Sequence, residues 1–159
     1  MQQITRRTKA IVAMTFITLS LILSSFSSNK GGEGFEIYLN NKVVLQQFGN
    51  QMNTVKSIHL DQRFSNDQLV IKYHHCGQVG KNRSIVIRDA ENKTLKEWKF
   101  ANVSATNLVS DAAMACKVKD ILSLQKNNPG KLSLYYSSNE LPKGRLLANI
   151  VTEGLAKTK

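Results

Sequence analysis

The run His74-His75-Cys76, with His59 and the Met114-x-Cys116 pair, gathers all three histidines and both cysteines of the chain. These are side chains that copper or zinc can use as ligands. Along a strand, adjacent residues point to opposite faces, so His74 and Cys76 can share a site while His75 points away. A metal or redox centre built on His74, Cys76 and Cys116 is one reading of this region. The other is a disulfide between Cys76 and Cys116, as an oxidising compartment favours. That bond would close a loop of about 41 residues and contribute on the order of 4 kcal/mol in the chain-entropy account. No C-x-x-C motif is present, so thiol–disulfide exchange is not expected.

Other motifs fail on inspection. Around Gly77–Ser84 the sequence resembles a phosphate loop, but the first glycine position is His75 and Asn82 follows Lys81, so the G-x-x-x-x-G-K-[S/T] pattern is broken twice. Ser123-Leu124-Gln125-Lys126 matches S-x-x-K without its companion motifs. The eleven acids are scattered. We therefore nominate no catalytic residue, expect no cofactor, and expect a protein that is not an enzyme.

Charge is the stronger signal. The chain carries 22 Lys and Arg against 11 Asp and Glu, a formal +11. Lys81, Arg83 and Arg88 flank one expected strand, and Lys93, Lys96 and Lys99 lie on its hairpin partner. Cross-strand neighbours of this kind form a positive ribbon suited to an anionic glycan or another envelope component. Asp89, Glu91 and Glu97 are interspersed among them. Nucleic acid is disfavoured, because no aromatic stacking platform accompanies the basic residues. The partner itself is unknown, with an envelope protein as a further possibility.

The elements that must position these residues read mostly as strands. Phe35–Leu39 alternates Phe35, Ile37 and Leu39 with Glu36 and Tyr38, the period-2 pattern of a half-buried strand. Asn40-Asn41 supplies a turn into Val43–Phe48. Lys56–Leu60 and Leu69–His75 follow, and Ser84–Arg88 leads through Asp89–Lys93 into Thr94–Phe100. Asp89 is expected to cap that turn, Asn92 to take its left-handed position, and Trp98 and Phe100 to anchor the core. Lys131–Ser137 and Gly144–Thr152 are two further strands. Before them, Asp111–Val118 could begin a helix continuing to Asn128, with Met114, Val118, Ile121 and Leu122 on one face, but the preferred reading is a strand with Met114, Cys116 and Val118 on one face. Asp120 would then N-cap a short helix over Ile121–Asn127, ended by Asn128-Pro129-Gly130. About eight short strands with one short helix specify an all-β fold, an antiparallel β-sandwich.

The N-terminus indicates where such a domain works. Arg6, Arg7 and Lys9 precede an apolar run over Ala10–Leu23 and a small-residue exit at Ser24–Ser28. Basic head, apolar middle and small-residue exit form the layout of a signal peptide over residues 1–27. The run is shorter than the roughly 20 residues that span a bilayer, and no later run would span one. Residues 28–34 then read as a flexible leader, 35–153 as one β-sandwich domain, and 154–159 as a basic tail. Cleavage would leave about 132 residues and a net charge of +8, because the first 27 residues carry three positive charges and no acid. The expectation is a soluble exported protein, periplasmic or extracellular.

Overall fold

The computed structural model describes residues 32–76, 78–103, 112–128 and 130–152. The expected signal segment (1–27) and basic tail (154–159) lie outside the described residues. Chain reversal at Asn40 and Asn41 begins the fold: both take positive φ, 51° and 59°, the geometry of a two-residue hairpin turn that matches strand twist. They join β1 (Gly34–Leu39) to β2 (Lys42–Phe48). Val44 is the extra residue of a bulge, because Ile37 opposes Leu45 while Tyr38 opposes Val43. β3 (Lys56–Leu60) and β4 (Gln68–His74) follow. Next come β5 (Ser84–Arg88) and β6 (Thr94–Lys99), then β7 (Met114–Lys117). The helix α1 (Val118–Asn127) precedes β8 (Leu132–Ser137) and β9 (Arg145–Thr152).

The strands form two sheets, ordered β2-β1-β4-β7 and β3-β9-β8-β5-β6. A sandwich-like all-β fold with one α-helix is therefore the architecture of the described residues. The expected antiparallel pairing holds except at one edge, where β3 runs parallel to β9. Phe35, Ile37, Leu39, Leu69, Ile71 and Met114 from the first sheet meet Ile85, Ile87, Leu134, Tyr136 and Ile150 from the second in one buried cluster. Each large apolar side chain so buried contributes about 1.5–3 kcal/mol.

Local details refine the expectations. Asp89 Oδ1 accepts from the backbone N–H of Glu91 (3.0 Å) and of Lys93 (2.9 Å), and Asn92 has φ 63°, as that turn requires. The helix starts at Val118 rather than after Asp120. The N-cap position falls on Lys117, whose side chain makes no capping bond, and Asp120 sits in the first turn. Val118, Ile121 and Leu122 are buried, so packing rather than capping sets where this helix begins. Trp98 and Phe100 are half-buried at the margin of the core rather than inside it. The expected leader is tied down at its end: Gly34 opens β1, and the Glu33 carboxylate accepts from Tyr73 and Arg145.

Candidate functional site

Polar side chains converge where β4 and β8 leave the core at the same end of the sandwich. Tyr73 and Tyr136 point inward from opposite sheets and stack with centroids 4.1 Å apart and planes 8° apart. Two residues further along each strand stand His75 and Ser138, continuing the same inward stripes. His75 Nε2 lies 2.9 Å from the Tyr136 hydroxyl and 3.4 Å from Ser138 Oγ. The Tyr73 hydroxyl donates to Glu33 Oε1 at 2.5 Å, and Arg145 Nη2 donates to Glu33 Oε2 at 3.1 Å. Glu140 accepts from the Lys81 N–H at 3.0 Å. Gly80 closes the cluster, since a Cβ there would run into the Tyr136 hydroxyl, His75 Nε2 and Glu140 Oε2.

Burial sets the proton affinities. It pushes the His75 imidazole below its usual value, against the opposing pull of the Glu140 and Glu33 carboxylates. Burial raises both phenols, and Tyr73 is raised further by its bond to Glu33. Burial also acts to raise Glu140, but hydrogen bonds from its own backbone, Ser138 and Lys81 hold it low. At neutral pH the centre of the network is thus a neutral imidazole between two neutral phenols. Ser138 touches a histidine but is only 4% exposed. This arrangement suits holding loops in place more than presenting a nucleophile.

What the network holds is the wall of a groove. Outside it lies an open groove of about 540 Å³. Lys99, Ser84 and Ser137 form a cross-strand row along it, because Ser84 opposes both of the others. Asn82 and Asn139 line the loop side. They are joined by an Asn82 Nδ2 to Asn139 Oδ1 bond of 3.2 Å and braced by the Asn139 N–H donating to the Lys81 carbonyl at 2.9 Å. Arg83, Glu97, Phe100 and Pro142 complete the lining, and Ser138 belongs to both the groove and the network.

The residues singled out from sequence fare unevenly. The expected disulfide is absent: Cys76 is exposed and Cys116 buried, both as free thiols. Register explains why. Cys116 on β7 opposes Leu69 of β4, and Cys76 lies beyond the end of β4 at His74, itself roughly 16 Å from Leu69 at strand rise. A disulfide needs α-carbons within about 7 Å. The same separation keeps His74, Cys76 and Cys116 from forming one metal site. His59 sits on β3 of the other sheet. Among the described residues, no group of three or more His, Cys, Asp or Glu is placed to hold a metal ion. Burial holds the Cys116 thiol up at about 12.

The basic ribbon is also divided. Arg83 is only 3% exposed, and its guanidinium donates to the carbonyls of Ala112 (2.6 Å) and Ala101 (2.9 Å). It is a structural residue, not a surface one. Lys96 opposes the buried Ile87 and so lies on the inward side, 3.6 Å from Asp120 of α1. Arg88 lies over the Tyr135 ring at 4.4 Å, and Lys93 is exposed in the β5–β6 turn. Lys99 lines the groove, and Lys81 is exposed beside it in the loop whose backbone Glu140 anchors.

His75, not the expected His74, is the histidine at the polar centre. The available signal was the spacing Tyr73-x-His75 and Tyr136-x-Ser138, polar residues continuing an inward stripe at a strand end. No protein-family model matches this chain, and no curated protein matches it in sequence.

Proposed function

We propose that this chain is an exported β-sandwich binding module of the cell envelope. In this reading it is non-catalytic and holds an anionic glycan in the groove between β5, β6 and the β8–β9 loop. The observation that carries the reading is the groove itself. It is roomy, open and lined by amides, hydroxyls and an ammonium on a rigid sheet, and its loop wall is fixed from behind by the His75 network. Fixed polar groups converging on a concave surface are what small-ligand sites use for orientation and specificity. Lys99 supplies attraction for an acidic sugar, while Glu97 and the asparagines can bond its hydroxyls. The basic head and apolar run at the N-terminus support export, and among the described residues no helix is long and apolar enough to cross a membrane.

The test is titration of the purified protein with oligogalacturonate at two salt concentrations. We expect binding that weakens with salt and falls about tenfold in Lys99→Glu, a loss of about 1.4 kcal/mol. Binding indifferent to both changes, or none at all, would remove the groove as the site. Cell fractionation tests export directly: material confined to the cytoplasm contradicts it.

A further inference from the structure

A second surface, separate from the groove, lies on the solvent side of the four-stranded sheet. Three cross-strand rows are fixed by register: Phe48, Gly34 and His74; Gln46, Glu36 and Lys72; Val43, Tyr38 and Val70. In the first row the Phe48 ring lies over Gly34, where any Cβ would collide with it. The missing side chain lets a phenyl ring rest on the sheet while remaining 38% exposed. His74 stands beside it, centroids 6.0 Å apart and planes tilted by 32°. In the second row Glu36 Oε2 accepts from the Tyr38 hydroxyl at 2.8 Å and lies 3.8 Å from His74 Nε2. Lys72 Nζ is 5.1 Å from the Tyr38 ring centre. The rings of the first and third rows are separated by four residues of β1, roughly 13 Å at strand rise.

This combination selects among ligands. A nucleic acid needs several cations and no central carboxylate. An extended peptide would add to the free edge of β2 and lie beside the face rather than across Glu36 and Lys72 on β1 and β4. Lipid tails would have to desolvate Glu36 and Lys72. A sugar ring differs from all three, with one flat C–H face and a rim of hydroxyls that both donate and accept. Phe48 offers the flat apolar partner, Glu36 the acceptor, and Lys72 with Gln46 the donors. We infer that the outer face of β1, β2 and β4 is a platform for a neutral polysaccharide chain, with one sugar stacked on Phe48 and the next bonded by Glu36 and Lys72.

The test uses the purified protein and two probes, cellohexaose and chitohexaose, followed by calorimetry and by chemical shifts of the Phe48 and His74 rings. We expect at least one probe to bind with little salt dependence and to shift both rings. Phe48→Ala should weaken binding about tenfold, and Phe48→Trp should retain or strengthen it. Glu36→Gln should weaken binding by a smaller factor, and Lys99→Glu in the groove should leave it unchanged. Failure of both probes to bind overturns the inference, as does binding that survives Phe48→Ala. Should Phe48→Ala unfold the protein, the Trp variant decides: loss of binding by folded Phe48→Trp also overturns it. The salt-dependent, Lys99-dependent binding of an acidic glycan is a different measurement, so either site can fail without the other.

Discussion

His74 and His75 are neighbours in the chain, yet one strand sends them into different surroundings. His74 lies on the open outer face among Phe48 and Glu36. His75 turns inward to the Tyr73–Tyr136 stack and is covered by Gly80. The outer face is built on one sheet. The inner network joins two sheets and two loops, so each of its members is held by elements far apart in sequence. The contrast teaches where this domain keeps its stability and where it can present itself to a ligand.

The contrast breaks most visibly under truncation. Tyr136→Ala removes a fully buried ring that stacks on Tyr73 and bonds His75. We expect a loss of about 3–5 kcal/mol in denaturant unfolding, the range of large aromatic deletions. Phe48→Ala on the outer face should cost under about 1 kcal/mol, as surface changes do. Similar costs at both positions would mean the outer face is part of the folding core. Gly80→Ala comes next. Its Cβ must displace the Tyr136 hydroxyl, His75 and Glu140 together, and overpacking of this kind costs about 1–3 kcal/mol. Gly49 has open space around it but a φ of 53°, so Gly49→Asn rather than Ala is the matched control. It should change stability by only a few tenths of a kcal/mol, since Asn tolerates that conformation.

How much of this was legible in the sequence depends on the range of the interaction. Strand positions and both hairpin turns follow from alternation and from Asn40, Asn41, Asp89 and Asn92, all local signals. The helix start was misplaced because Asp120 has the chemistry of a cap, while burial of Val118 decides the boundary. The disulfide is absent and the basic ribbon is divided for one reason: both depend on register. Cys116 meets Leu69 rather than Cys76, and alternation sends Lys96 toward α1 and Arg83 into the interior. The site was missed because His75 and Ser138 come together only once β4 and β8 are placed in different sheets. The parallel pairing of β3 with β9 likewise left no local mark.

A smaller effect tests the inner network by pH. The folded protein holds His75 below its ordinary value near 6.5, so the unfolded chain takes up the proton first. The stability this contributes is intact above pH 6.5 and is lost as pH falls through the lower folded value. Glu140, also held low, adds a loss only at more acidic pH, below its usual 4.5. Difference unfolding curves between the natural protein and His75→Gln should therefore diverge between pH 7 and pH 5. Curves that stay parallel for His75→Gln would show that burial of this ring carries no proton linkage to folding.

The last effect within the inner network isolates a single bond. Tyr73→Phe keeps the ring stacked on Tyr136 and removes only the hydroxyl that donates to Glu33. A hydrogen bond to a charged acceptor contributes about 1.5–3 kcal/mol when buried. Here Glu33 retains Arg145 and is partly exposed, so we expect about 1 kcal/mol. Glu33→Gln should cost a similar amount, and the double variant should fall short of the sum, because both changes remove the same contact. Full additivity would show that Tyr73 and Glu33 act separately. The segment before β1 would then contribute nothing through this bond, and the inner network would be held by the two strands alone.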